Sequence, residues 1–230
     1  MLISIIIPTY NEEQTINLIL EKIFNQKQYK KEVILVDDCS TDKTLDVLNL
    51  EMKKKIKIIK NDKNYGKGYS IRRGIKECKG SIIIIQDADL EYDPSDYTKL
   101  LNPILEGKAD VVYGTRFHGS GEKRVLNYWH KIGNSILTTL SNMLSNINLT
   151  DMEVGFKVFR TDIIKTIKLK ENRFGFEPEI TAKISKKNLK IYEVGISYYG
   201  RNYKEGKKIT WRDGVAAFWH IINYNIFDKN

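Results

Sequence analysis

Residues 81–94 read SIIIIQDADLEYDP, four consecutive isoleucines (Ile82–Ile85) running into Asp87, Asp89, Glu91 and Asp93, each carboxylate two residues from the last. A short, unbroken apolar run bounded by polar residues is the pattern of a strand buried on both faces, as in a parallel sheet. Working outward, apolar runs and helical periods alternate through the first half. LISIIIP (2–8), EVILVDD (32–38), IKIIKN (56–61) and ADVVYGTR (109–116) read as further strands. Between them, residues 12–25 have helical spacing at Ile16, Ile19, Leu20 and Ile23. GKGYSIRRGIKECKG (66–80) and PSDYTKLLNPILEG (94–107) also read as helices. STDKTLDVLNLEMKK (40–54) opens like a capped helix, with Ser40 or Thr41 offering the N-cap oxygen. Strands alternating with such helices imply an α/β fold with a mainly parallel central sheet flanked by helices.

The second half is less regular. Residues 123–146 read as helix, 154–160 as strand, 176–187 as helix, 190–199 as strand, and the aromatic tail ITWRDGVAAFWHIINYNIF (209–227) as helix. No repeat or Pro/Gly-rich linker divides the 230 residues, which are expected to form a single domain, with 1–117 as one half and 118–230 as the other. Cys39 and Cys78 form no Cys-x-x-Cys pair and suit a reducing cytoplasm rather than a disulfide scaffold. The N-terminus has no basic leader, and no apolar run approaches the roughly 20 residues of a membrane span.

Charge is unevenly placed. Residues 1–110 carry 18 Lys and Arg against 18 Asp and Glu, whereas 111–230 carry 20 against 11, the whole of the +9 excess. A basic second half points to an anionic partner, although a solvated lysine-rich surface accounts equally well for most single lysines.

In parallel sheets ligands bind beyond the carboxyl ends of the strands, where Tyr10, Asn11, Glu12, Asp37, Asp38, Asp87 and Asp89 all fall. Carboxylates crowded there repel one another unless a cation lies between them. Their hard oxygens suit Mg²⁺ or Mn²⁺, ions that share their coordination with substrate phosphates. The plainer reading is that Asp89 caps the next helix and Asp93–Pro94 starts it.

Five motifs in order, IIIPTYNEE (5–13), VILVDDCSTDKT (33–44), NYGKGYSIRRGI (64–75), IIIIQDADLEYDP (82–94) and VVYGTRF (111–117), resemble the family 2 glycosyltransferases of GT-A fold. They are most similar to the dolichol- or polyprenol-phosphate mannose synthase branch. LTDMEVGFKVFR (149–160), FGFEPEI (174–180) and YEVGISYYGRNYKEGKK (192–208) continue the likeness more loosely. The resemblance implies that Pro8, Tyr10, Glu12, Val36 and Asp38 hold the nucleoside, that Asp87, Ala88 and Asp89 meet ribose and diphosphate, and that Asp87, Asp89 and Glu91 hold the metal. The branch often has Gln where Glu91 stands here. It further implies that Arg116 faces donor and acceptor phosphates, and that Arg201 and Lys207 close over the donor.

The implied reaction is inverting transfer of a hexose from a nucleotide-diphosphate sugar, GDP-mannose or UDP-glucose, to a lipid acceptor, foremost polyprenyl phosphate. An acceptor phosphate would lie against Arg116, Lys131 and His130, the histidine being equally well explained as a structural one. A hydroxyl acceptor would instead require a carboxylate base, from Asp151, Glu153, Glu177 or Glu179. Glu153 of MEVG (152–155) stands where the branch commonly has a small residue, so it is either an acceptor-side specificity group or a base; Asp89, Arg116 and Glu153 are the residues expected to carry the reaction. Lys67 reads equally as a phosphate contact and as part of a glycine-bounded turn. Trp211, Phe218, Trp219, Ile222 and Phe227 suit a peripheral membrane contact, core packing or a homodimer interface. A nucleotidyltransferase would need a Gly-rich basic loop after the first strand, which PTYNEEQT (8–15) lacks. A nucleic-acid-binding module would find its phosphate backbone repelled by the acidic strand ends.

Overall fold

The computed structural model describes residues 1–117, 124–125, 127–201 and 211–228. Seven strands form one sheet in the order β3-β2-β1-β4-β6-β5-β7. They are β1 (Leu2–Thr9), β2 (Lys30–Asp37), β3 (Ile56–Lys60), β4 (Ile82–Ile85), β5 (Val111–Thr115), β6 (Lys157–Arg160) and β7 (Ile191–Gly195). All neighbours are parallel except β6, which runs against both β4 and β5. The helices are α1 (Ile16–Asn25), α2 (Leu50–Lys55), α3 (Lys67–Glu77), α4 (Tyr97–Leu105), α5 (Tyr128–Ser145), α6 (Thr161–Ile164), α7 (Phe176–Ser185) and α8 (Trp211–Ile222).

The isoleucine run settles the sheet's centre. Ile82–Ile85 are buried between β1 and β6, each side chain contributing about 1.5–3 kcal/mol of hydrophobic stabilisation. On the helices, Ile16, Ile19, Leu20 and Ile23 form the buried stripe of α1 that their spacing predicts. The strand expected over 190–199 ends at Gly195, beyond which Tyr198 makes an isolated bridge to Tyr92.

The helix expected from Ser40 is corrected. Residues 40–49 are turns, and only Leu50–Lys55 is helical, capped by Asn49, whose side chain accepts from Met52 N. The hydroxyls that looked like caps are engaged across the strand ends. Ser40 Oγ accepts from Asn11 N at 3.0 Å and donates to Asp37, Thr44 Oγ1 accepts from Glu12 N at 2.8 Å, and Asn11 Oδ1 accepts from Thr41 N at 2.8 Å. Short polar side chains that bond to backbone in this way compete with helix formation. The result is a braced rim beside the ends of β1 and β2.

Helix α5 is turned opposite to the usual arrangement. Its buried residues are Asn134, Thr138 and Ser141, while Tyr128, Trp129, Ile136 and Met143 are exposed. Neighbouring α8 buries Ala217 and Ile221 and exposes Val215, Phe218 and Trp219, with Phe227 exposed just beyond. Among the described residues no helix is long and apolar enough to cross a membrane.

Candidate active site

A cavity of about 420 Å³ opens where the carboxyl ends of β1, β2, β4 and β5 meet the amino end of β6. Three regions line it, each built by different elements.

At one side, Pro8, Thr9, Tyr10 and Glu12 leave β1, and Asp38 follows β2. The Asp38 carboxylate accepts hydrogen bonds from Asn61 Nδ2 (2.6 Å), Tyr65 N (3.0 Å) and Gly66 N (2.6 Å). These bonds fold residues 61–66 back over β2 and hold Gly66 at φ +105°, a conformation that favours glycine. A Cβ there would also lie 2.5 Å from the Asn172 carbonyl. Helix α3 therefore begins at the cavity wall, with Lys67 in its first turn.

The acidic corner follows β4. Lys67 Nζ lies 2.9 Å from Asp87 Oδ1 and 3.0 Å from Glu177 Oε1. Burial works against that ammonium, but Asp87 and then Glu177 outweigh it and keep Lys67 charged well past the ordinary lysine range. Arg201 reaches in from the opposite wall, with Nη2 at 3.1 Å from Asp89, Nη1 at 3.7 Å from Glu12 and Nε at 3.6 Å from Glu91. Glu91 also accepts from Arg201 N at 2.9 Å and from Tyr198 OH at 2.8 Å. Even so, burial first, then the charges of Asp87 and Glu91, push the Asp89 carboxyl up to about 7. Asp93 stands apart: it caps the short 3₁₀ turn Pro94–Asp96 by accepting from Ser95 N and pairs with Lys22 at 2.6 Å. The plainer reading of the motif is right for Asp93, and Asp89 adds a local bond from Glu91 N at 3.1 Å.

This donor set fits a hard divalent ion. Burial and then the charges of Asp87 and Glu91 disfavour the Asp89 anion even with Arg201 beside it, so an added cation would be stabilising there, and its oxygens are of the type that binds Mg²⁺ or Mn²⁺. Among the described residues no group of three side chains forms a ready-made cage. The chemistry that fits is an ion held by Asp89 with Asp87 or Glu91 and completed by substrate phosphate oxygens and water.

The third region combines the loop before β6 with the first turn of α7. Arg116, buried at the end of β5, is locked to Asp151: Nε to Oδ2 at 2.6 Å, Nη2 to Oδ1 at 2.6 Å and the backbone N to Oδ2 at 3.0 Å. Its Nη2 also donates to Asn134 of α5, and its guanidinium lies over the rings of Tyr198 and Phe117. Glu179 is likewise held, accepting from Lys170 N, Glu171 N and Lys183 Nζ. Of the four candidate bases, then, Asp151 and Glu179 are engaged in structural pairs. Glu153 and Glu177 line the cavity, and each has one buried carboxyl oxygen (Glu153 Oε1, Glu177 Oε2) without a hydrogen-bond partner among the described residues. Burial and then the Glu177 charge push Glu153 up to about 8. Lys157, fully buried in β6, donates to the carbonyls of Met152 and Val154 under the Tyr113 ring, and burial draws it down to about 8.

Pro8, Tyr10, Glu12, Asp38, Asp87, Ala88, Asp89, Glu91, Arg116, His130, Glu153 and Arg201 thus share one cavity. Val36 is fully buried in β2 behind the wall, and Lys131 is exposed on α5; neither lines the cavity. Lys207 lies outside the described residues. Arg173, which lines the cavity, carried no sequence signal, and Phe174 beside it was quoted only as the start of FGFEPEI; both sit in the irregular turn before α7. Tyr198 and Gly155 lay inside motifs that the resemblance quoted, but only packing shows their parts. Gly155 has no room for a Cβ, which would fall 2.1 Å from Asp87 Oδ2, and its N–H donates to Tyr92 OH.

The sequence model of glycosyl transferase family 2 matches residues 4–168. A dolichol-phosphate mannosyltransferase from Pyrococcus furiosus is 30% identical over 91% of this chain and 61% of its own length. A dodecaprenyl-phosphate galacturonate synthase from Rhizobium johnstonii is 26% identical over 96% of this chain and 64% of its own. The chain thus spans about three fifths of the length of these two relatives. Among solved structures, the glucosyl-3-phosphoglycerate synthase of Mycobacterium tuberculosis with Mn²⁺, UDP-glucose and glycerol 3-phosphate superposes with a TM-score of 0.75. It is 17% identical, covering 99% of this chain and 81% of that one, a likeness of fold alone. That fold is the GT-A fold.

Proposed function

The chain belongs to glycosyl transferase family 2, and from that premise we propose that it moves a hexose, with inversion, from a nucleotide-diphosphate sugar to polyprenyl phosphate. One observation carries the reading. A single cavity at the strand ends gathers Asp87, Asp89 and Glu91 and sets the cations Lys67 and Arg201 against them. Such a corner suits a diphosphate: its oxygens meet the two side-chain cations, and a divalent ion is drawn to the carboxylates. Asp89 with Asp87 or Glu91 would hold that ion, Mg²⁺ or Mn²⁺, which when bound supplies charge that stabilises the leaving diphosphate.

In this reading the nucleoside lies along Pro8, Tyr10, Glu12 and Asp38, next to the braced 38–49 rim. An acceptor phosphate oxygen attacks the anomeric carbon while the bond from that carbon to the β-phosphate oxygen breaks, its electron pair leaving on the nucleoside diphosphate. A phosphate acceptor is already anionic near neutral pH, so no base is needed. His130, in the first turn of α5, faces the acceptor side, and Arg116 shapes the wall from its pair with Asp151. The names of the two relatives support a polyprenyl-phosphate acceptor. So does the outward apolar face of α5 and α8, which suits peripheral contact with a bilayer holding such a lipid.

A hydroxyl acceptor is the second reading, favoured by the unpartnered oxygen of Glu153, which would take the acceptor's proton. Both readings are tested by offering GDP-mannose and UDP-glucose with Mn²⁺ or Mg²⁺, and polyprenyl phosphate or diacylglycerol as acceptor. Transfer to polyprenyl phosphate that disappears in Asp89→Ala with the fold intact supports the first reading. Transfer to diacylglycerol alone, lost in Glu153→Gln, supports the second, and no transfer from either donor refutes both.

A further inference from the structure

Residues 171–175, the turn before α7, bring Arg173 and Phe174 to the cavity wall, and two helices hold that turn. Helix α3 grips its first half. Arg72 donates to the Glu171 carbonyl and to the Asn172 side chain, and Tyr69 N donates to the Asn172 carbonyl at 3.0 Å. Helix α8 closes the turn through His220. The imidazole Nδ1 lies 3.2 Å from Glu171 Oε1. A Cβ on Gly175 would fall 2.9 Å from the imidazole Cδ2 and Nε2, and 3.0 Å from Glu171 Cδ. One side chain thus bears on both ends of the turn, and the two ends meet around it. Tyr224, four residues further along, donates to Glu171 Oε1 at 2.5 Å, an attachment that does not depend on His220.

His220 itself does not line the cavity; what it bears on is the placing of two residues that do. Arg173 and Phe174 are exposed and lie between its two points of contact. Arg173 packs against the start of α3, where a Cβ on Gly66 would fall 3.0 Å from its Cα. Gly66 and Lys67 are the residues tied to Asp38 and Asp87, so Arg173 stands on the nucleotide side of the cavity. We propose that His220 is a positioning residue: by fixing Glu171 and Gly175 together it holds the Arg173 guanidinium where it meets a phosphate of the bound nucleotide. The inference rests on the function proposed above, in which the donor carries that phosphate. A turn held only by α3 would let Arg173 swing towards solvent, and a misplacement of about 1 Å near a reacting centre can cost about a hundredfold.

The test is a double-mutant cycle on the purified chain with Arg173→Gln, His220→Ala and the two combined, each checked for fold by circular dichroism. The quantity read is the affinity for UDP and GDP in the presence of Mn²⁺, by calorimetric titration. Arg173→Gln is expected to weaken binding of the preferred nucleotide by about tenfold. His220→Ala is expected to weaken it several-fold, and to add nothing in the Arg173→Gln background. A purely structural histidine would give independent, multiplicative losses, and that result overturns the assignment. So does a folded His220→Ala with wild-type affinity. An Arg173→Gln chain that binds nucleotide normally overturns it too, even if its KM for polyprenyl phosphate rises, since the guanidinium would then serve the acceptor. Should His220→Ala fail to fold, Gly175→Ala presses on the same imidazole from the side of the turn and is read by the same outcomes. Failure of both UDP and GDP to bind the wild-type chain overturns the transferase reading instead, a distinct result.

Discussion

The guanidinium of Arg201 lies 3.1 Å from the Asp89 carboxylate and reaches Glu12 and Glu91 on either side, so a side-chain cation already sits among the oxygens best suited to a divalent ion. The two cations compete for one set of charges. Replacing Arg201 with Gln should therefore tighten binding of Mn²⁺ alone by about tenfold, a difference of about 1.4 kcal/mol. The same variant should bind nucleotide sugar more weakly, having lost a phosphate contact. Titration of free Mn²⁺ by electron paramagnetic resonance, without nucleotide, measures the first effect; unchanged affinity would remove Arg201 from the corner.

Arg116 and Asp151 form a buried, two-point ion pair, and neither has solvent to fall back on. Arg116→Met leaves a buried carboxylate without its counter-charge and should cost about 3–5 kcal/mol in denaturant unfolding. Adding Asp151→Leu should restore much of that loss. A stable single variant with impaired turnover would instead assign Arg116 to direct phosphate contact.

Glu153 makes stability depend on pH. Its carboxyl titrates near 8 in the folded chain because burial and then Glu177 disfavour the anion, against about 4.3 when unfolded. The folded state keeps the proton longer, so this residue's contribution falls as pH rises from about 4.3 to 8 and is level outside that window. Glu153→Gln should melt with the wild type at pH 4 and above it at pH 8.5. Coincident melting at both pH values would show that the carboxyl is solvated.

Gly155 is the position where bulk is least tolerated near the corner. Ala there drives Asp87 away from Lys67 or shifts the loop, since the contact would be 2.1 Å. The expected result is a drop of about tenfold or more in UDP or GDP affinity in the presence of Mn²⁺, with a smaller effect on melting. Full affinity in Gly155→Ala would mean that Asp87 takes no part in holding the nucleotide.

Much of this was open to reading in the sequence because the first half is built from continuous strands, each marked by its own apolar run and each ending at the same rim. Asp38, Asp87 and Asp89 were placed by that rule alone. The 40–54 segment misled because Ser40, Thr41 and Thr44 have the same local look whether they cap a helix or brace two loops, and only the distant partners Asn11 and Glu12 decide. The inward polar face of α5 was hidden likewise, since its buried Asn134 answers to Arg116 and its buried Thr138 to Met152 N, neither of them near in sequence. Which of Asp151, Glu153, Glu177 and Glu179 line the cavity is decided by where their basic neighbours lie, and those are distant in sequence.

The single reversed strand has a further consequence. Because β6 runs backwards between β4 and β5, its entrance rather than its exit opens on the rim, and Glu153 arrives by a route separate from the one that delivers Asp87. The strand-end carboxylates and Glu153 thus come from different passages of the gene. A rewritten connection ahead of β6 would reshape one wall of the cavity while the strand-end carboxylates stay as they are, provided that Gly155, packed against Asp87, is kept.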